Sequence, residues 1–183
     1  DAAIEAGIWS IAHSGALDDA KHKLMAQKGI WRAGTETPTG IAGHPVSEQA
    51  YKRTVEGLKN AYDNKVPLTF STDADYYVVG KTRGELCLEF LKTWKDAGIP
   101  NADILRAITI NGYKVSETEK TRGPIKAGYF ADLIAVPGNP LDDIEALKNV
   151  RFVMKDGQVF KRDGVMTPAS FFHGGPVNGW RIR

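Results

Sequence analysis

The sequence predicts an α/β fold, with parallel strands alternating with helices and a small antiparallel β subdomain closing the chain. Three observations predict it. Short apolar runs at 8–12, 30–35 and 66–71 alternate with helix-periodic stretches. The rhythm changes after Gly123, where strand-like runs follow one another without helices between them. Asp156-Gly157, a favoured tight-turn pair, lies between two such runs. The composition fits a globular chain: of 183 residues, 42% are hydrophobic and 25% charged.

Each element has a local reason. Residues 2–7 read as a helix end stopped by Gly7. The run 8–12 is fit for a buried parallel strand. Asp18 or Asp19 caps a helix to about Gln27, with Leu17, Ala20, Leu24 and Met25 at helical spacing. His22 sits in it between Lys21 and Lys23 and is expected to be solvated. A strand at 30–35 leads into a Gly- and Pro-rich loop at 36–46. Ser47 caps the next helix, whose Tyr51, Val55, Leu58 and Tyr62 form one apolar stripe. The strand at 66–71 tolerates Pro67 at its start. A helix over 83–97 carries Leu86, Phe90, Leu91 and Trp94 inward, and Gly98 stops it. Asn101 caps a further helix containing Ile104, Leu105 and Ile108. The run 131–136 is a strand, and 149–161 a hairpin around Asp156-Gly157. The ending, rich in Gly and aromatics, has no clear period.

Several classes are excluded. A net charge of +2 without basic clustering gives no nucleic-acid surface. No apolar run approaches the roughly 20 residues that span a bilayer, and no basic amphipathic helix suggests a membrane surface. The single Cys87 rules out an internal disulfide and a Cys-based zinc cluster. Phosphate-binding and dinucleotide glycine motifs are missing, and Ser14 lacks the glycine flanks of a nucleophile elbow.

In parallel α/β architectures, functional side chains gather past the C-terminal strand ends. His13 and Asp73 stand there, after the first and third strands. A neutral imidazole binds a borderline metal, and a carboxylate beside it can bind the metal or accept a proton from water. Position alone leaves each open: His13 as ligand or hydrogen-bonded loop residue, Asp73 as ligand, as helix or turn cap, or as salt-bridge partner. His44 in the loop, and Tyr76 and Tyr77 after Asp73, are candidates for facing a substrate or for plain packing. His173 in the tail reads as a surface residue, and Cys87 as core packing.

Five segments, in order, resemble the metal-dependent amidohydrolases. Ile11-Ala12-His13-Ser14-Gly15 with Leu17-Asp18-Asp19 resembles their EHG…LDD segment, and Phe70-Ser71-Thr72-Asp73-Ala74 their GTDA segment. The stretch from Ile104 to Asn111 resembles the following helix. Gly123-Pro124-Ile125, Ala131-Asp132-Leu133-Ile134 and Asn139-Pro140-Leu141 resemble the next stretch, and residues 150–160 the closing hairpin. The branch most resembled is the imidazolonepropionase-like and Xaa-Pro-dipeptidase-like group.

The resemblance implies the C-terminal part of a (β/α)8 barrel, strands six to eight, in residues 1–122. It implies strands of a small β-sandwich in 123–165, with a tail at 166–183. His13 matches the sixth-strand metal ligand. Asp73 matches the eighth-strand aspartate, which binds metal and takes the proton of the attacking water. Asp132 matches a family position too, with a structural role at a strand start. His44, Tyr76 and Tyr77 are carried as substrate-facing candidates.

The implied cofactor is zinc, as one or two divalent ions. The implied reaction is hydrolysis of a C–N bond in an amide, dipeptide or cyclic amide. Lactone or phosphotriester cleavage, or an inactive fragment or interaction module, are the alternatives. The family's first-strand His-x-His pair, fourth-strand lysine and fifth-strand histidine have no counterpart here. The expected partners are therefore the N-terminal portion of the same enzyme or another chain, alongside a small amide or peptide-like substrate. A homo-oligomer is expected, with no nucleic acid and no membrane. The compartment stays open between bacterial cytoplasm and export.

Overall fold

The computed structural model describes residues 2–14 and 17–168. Its first unit runs α1 (Ala2–Glu5), β1 (Ser10–Ala12), α2 (Asp19–Lys28), β2 (Trp31–Thr35), α3 (Glu48–Asp63) and β3 (Leu68–Ser71). The three strands form one parallel sheet in the order β1-β2-β3. Ala12 pairs with Ala33, and Thr35 with Ser71, so all three strands end at one mouth. Parallel neighbours cannot be joined by a hairpin, so α2 and α3 carry the chain back between them.

The caps expected for these helices form. Asp18 accepts from the Lys21 N–H at 2.9 Å, and Ser47 from the Ala50 N–H at 3.2 Å. Gly29 ends α2 at φ 67°, a left-handed conformation that glycine takes without a Cβ clash. β1 begins two residues later than expected. Gly7 turns the chain, and the Trp9 indole leaves the sheet to donate to the Val115 carbonyl at 2.8 Å.

Four helices follow: α4 (Arg83–Glu89), α5 (Leu91–Asp96), α6 (Asn101–Ile108) and α7 (Ile110–Val115). The single helix expected over 83–97 is interrupted at Phe90, whose N–H turns to the Cys87 carbonyl in a tighter turn. Thr82 and Glu85 form a reciprocal capping box at its start. The expectation that Asn101 caps α6 is corrected. Pro100 occupies the cap, and the Asn101 amide instead donates to the Leu141 and Asp142 carbonyls. Pro100 lacks an N–H and has its φ preset, which suits a helix start.

The main core lies between the sheet and these helices. Met25, Leu58, Leu91, Trp94 and Ile104 are among its fully buried members. Burying such side chains stabilises by about 1.5–3 kcal/mol each. A second, smaller core joins Ile41, Ala74, Val78, Leu86 and Phe90 beside the mouth. His22, expected to be solvated, is buried inside α2 against α3. Its Nδ1 meets the Asn60 side-chain oxygen, and burial lowers its pKa against the raising effect of that contact.

The last unit is an antiparallel sheet, β4 (Leu133–Ala135), β5 (Phe152–Lys155), β6 (Gln158–Arg162) and β7 (Val165–Met166), in sequence order. Asp156-Gly157 makes the expected turn. Residues 144–148 form a 3-10 helix whose Ile144 and Leu147 join the main core. β7 reaches into the segment read as tail, and Thr167 still donates to the Val159 carbonyl at 2.6 Å. His173 and the rest of that tail from residue 169 onward lie outside the described residues.

Candidate functional site

The mouth of the parallel sheet gathers one side chain from each strand end. His13 follows β1 directly, Thr35 closes β2, and Asp73 lies two residues past β3. His13 Nε2 stands 2.9 Å from Asp73 Oδ2. Thr35 Oγ1 meets His13 Nδ1 at 2.9 Å. The two outer side chains are 58% and 62% exposed. Sequence reasoning named His13 and Asp73 and missed Thr35. The signal for it was its place as last residue of the middle strand.

Both outer residues hold unusual backbone. His13 has φ 51° and Asp73 φ 43°. Left-handed conformations cost a non-glycine residue about 1 kcal/mol or more, and Asp and His tolerate them better than most. The strand ends turn sharply there, which lets the imidazole and the carboxylate point at each other across β2. The strand beneath Asp73 is tied down from α7, where the Asn111 amide donates to the Leu68 carbonyl at 2.9 Å.

The donor set suits a divalent metal in part. One imidazole nitrogen and one carboxylate oxygen converge, and Thr35 backs the far ring nitrogen as outer partners of metal-bound histidines do. Two tetrahedral ligands at about 2.0–2.2 Å from zinc lie roughly 3.4 Å apart, so the 2.9 Å spacing needs only a small opening. Among the described residues, no three His, Cys, Asp or Glu side chains cluster closely enough to hold an ion by themselves.

The other predicted residues fall into two places. His44 and Tyr76 stack, with ring centroids 4.3 Å apart and planes 1° from parallel. They tie the loop after β2 to the loop after β3. Among the described residues the buried Tyr76 hydroxyl has no hydrogen-bond partner, and burial raises its pKa, with Cys87 and Asp75 adding to the rise. Tyr77 stands apart from that stack, 81% exposed. Cys87 is a half-buried free thiol against the Thr72 hydroxyl at 3.3 Å. Behind the mouth a cavity of about 370 Å³ is lined by His13, Ser14, Arg32, Glu36 and Arg53 among others.

The chain as a whole resembles known proteins. An amidohydrolase family model matches residues 1–160. Ochratoxinase of Aspergillus niger is 29% identical over 177 residues, covering 90% of this chain and 36% of the enzyme. A crystal structure of a Xaa-Pro dipeptidase with bound methionine in the active site superposes with a TM-score of 0.72 at 27% identity, covering 87% of this chain and 41% of that one. Molinate hydrolase shares the fold at a TM-score of 0.74 and 20% identity, covering all of this chain and 43% of its own. The chain thus spans roughly two fifths of the chains it resembles. Its mixed α/β fold matches part of their TIM-barrel structures. Divalent metals are general in this superfamily. With most of its length matched by the family model and its strand-end His and Asp converging, the chain belongs to the amidohydrolase family.

Proposed function

We propose that residues 1–183 supply one side of the active site of a zinc-dependent hydrolase that cleaves C–N bonds in amide or dipeptide-like substrates. The observation that carries this is the approach of His13 Nε2 to Asp73 Oδ2 at 2.9 Å, beside a third strand end. The relatives support the substrate class, since one is a Xaa-Pro dipeptidase by name.

His13 would offer the Nε2 lone pair to the metal. Thr35 Oγ1 would then accept from Nδ1–H, fixing that tautomer. The chemistry a bound zinc ion supplies is Lewis acidity, which brings a water pKa down to about 7 and polarises a carbonyl. Asp73 would take the proton of the attacking water and pass it to the departing amine nitrogen. Its 62% exposure leaves it open to the reacting groups. The His44–Tyr76 stack would wall the substrate on the side of the two loops. Zinc sites use three or four protein ligands, so the remaining ones would come from polypeptide beyond this segment.

Native mass spectrometry with metal analysis tests this, paired with a dipeptide hydrolysis assay. The chain alone is expected to hold zinc weakly and turn over nothing measurable. Together with the rest of the enzyme it is expected to hold one or two zinc ions per site and cleave amides. Tight zinc binding and ordinary turnover by residues 1–183 alone would overturn the shared site.

A further inference from the structure

We infer that Arg32 is a positioning residue for His13, acting through Ser14; its catalytic meaning rests on the function proposed above. Arg32 and Gly34 share the face of β2 opposite Thr35, and both are buried. Arg32 is 5% exposed and Glu36, just past the strand, 1%. Arg32 Nη1 donates to Glu36 Oε1 at 2.6 Å, and Arg32 Nε donates to Ser14 Oγ at 2.8 Å. Ser14 is the residue after His13.

The guanidinium is held from behind by a carboxylate with nowhere to go. The Glu36 carboxylate occupies the space that a side chain at Gly34 would need, since a Cβ there would come within 1.6 Å of Oε1. The Thr93 hydroxyl donates to the Glu36 carbonyl at 2.8 Å, pinning the same residue from α5. Burial pushes the Glu36 carboxyl up in pKa, and the Arg32 charge opposes it. Such a pair is a poor source of net stability, because desolvating two charges offsets most of their attraction. What it does well is fix a direction, here that of Nε–H toward Ser14.

His13 has need of that. Its backbone is left-handed, its ring is mostly exposed, and among the described residues its side chain meets Thr35 and Asp73. Thr35 holds the ring, and Arg32 holds the residue that follows it. Together they set the line along which Nε2 faces Asp73. Outer partners of this kind change metal affinity by about 10–100-fold.

The test uses the full chain without zinc, then with it. Ser14→Ala cuts the link and leaves the buried pair in place, while Ser14→Thr restores a hydroxyl. Long-range 1H–15N spectra read each imidazole, with His13 assigned by its loss in His13→Gln. Ser14→Ala is expected to move both His13 ring nitrogens toward the averaged shifts of a free imidazole and leave those of His22 in place. It is also expected to weaken zinc binding about 10-fold, and Ser14→Thr to restore both. Arg32→Lys, which keeps a charge but loses the fork, is expected to behave like Ser14→Ala. Unchanged His13 signals in Ser14→Ala would overturn the inference, even if the melting temperature falls. If the wild-type ring ignores zinc even with the rest of the enzyme present, the proposed function fails, and the zinc-free spectra still decide the positioning role.

Discussion

Asp73 and Asp132 both stand beside a strand end, and they are built in opposite ways. Asp73 is 62% exposed on left-handed backbone, with His13 as its side-chain partner among the described residues. Asp132, just before β4, is 13% exposed. It accepts from Arg122, from the Tyr113 hydroxyl at 3.3 Å, from Lys155 at 3.4 Å and from the Asp156 N–H at 2.8 Å. Burial acts to raise the Asp132 pKa, yet these donors outweigh it and hold the carboxyl below the usual range. A carboxylate whose lone pairs are all engaged has nothing left for a ligand. One that is open, under-bonded and held by its backbone is available to bind an ion or move a proton. The same family match covers both residues, and only their surroundings tell them apart.

The largest expected effect breaks the pair at Asp73. Asp73→Asn keeps the shape and tolerates a left-handed φ, so the melting curve should stay within about 0.5 kcal/mol of wild type. The kcat of the assembled enzyme on a dipeptide should fall by about 10²–10⁴-fold. Asp132→Ala should do the reverse. It leaves Arg122 and Lys155 to share the more exposed Asp156 alone and should cost about 2–4 kcal/mol in urea unfolding, with zinc affinity unchanged. Equal loss of zinc binding in the two variants would erase the distinction.

Thr35→Val sharpens the contrast on the functional side. It removes the partner of His13 Nδ1 and should weaken zinc binding roughly 10-fold by calorimetry, with little change in melting.

The smallest effect extends the contrast to histidines. His22 is buried with its pKa lowered, so the folded state resists protonation while the unfolded state accepts it. Its stabilising share is complete above about pH 6.5, the unfolded value. That share is lost as pH falls through the lowered folded value. Urea midpoints should drop between pH 7.5 and 5.5, and the drop should shrink in His22→Gln.

Local chemistry carried most of the fold into the sequence. Apolar runs marked the three parallel strands, Asp18 and Ser47 marked helix starts, and Asp156-Gly157 marked the hairpin. Strand-end placement marked His13 and Asp73, whose side chains meet. What stayed hidden depends on contacts between distant segments. His22 lies between two lysines and looks solvent-facing until α3 brings Asn60 against it. Thr35, Arg32 and Ser14 acquire meaning only when β1 and β2 pair in register. The Thr82–Glu85 capping box, by contrast, is legible in its three-residue spacing.

The second core carries a consequence for anyone who would exchange substrate preference between relatives. Ile41 comes from the loop after β2, Ala74 and Val78 from the loop after β3, and Leu86 and Phe90 from the helices that follow. Those loops share one apolar seam, and the His44–Tyr76 stack rivets it from above. They will not graft one at a time. A chimera that imports residues 38–46 alone sets foreign side chains against Val78 and Leu86, and would lose the seam before it gained a substrate. The transplantable unit is both loops with the first turns of α4, moved as a cassette.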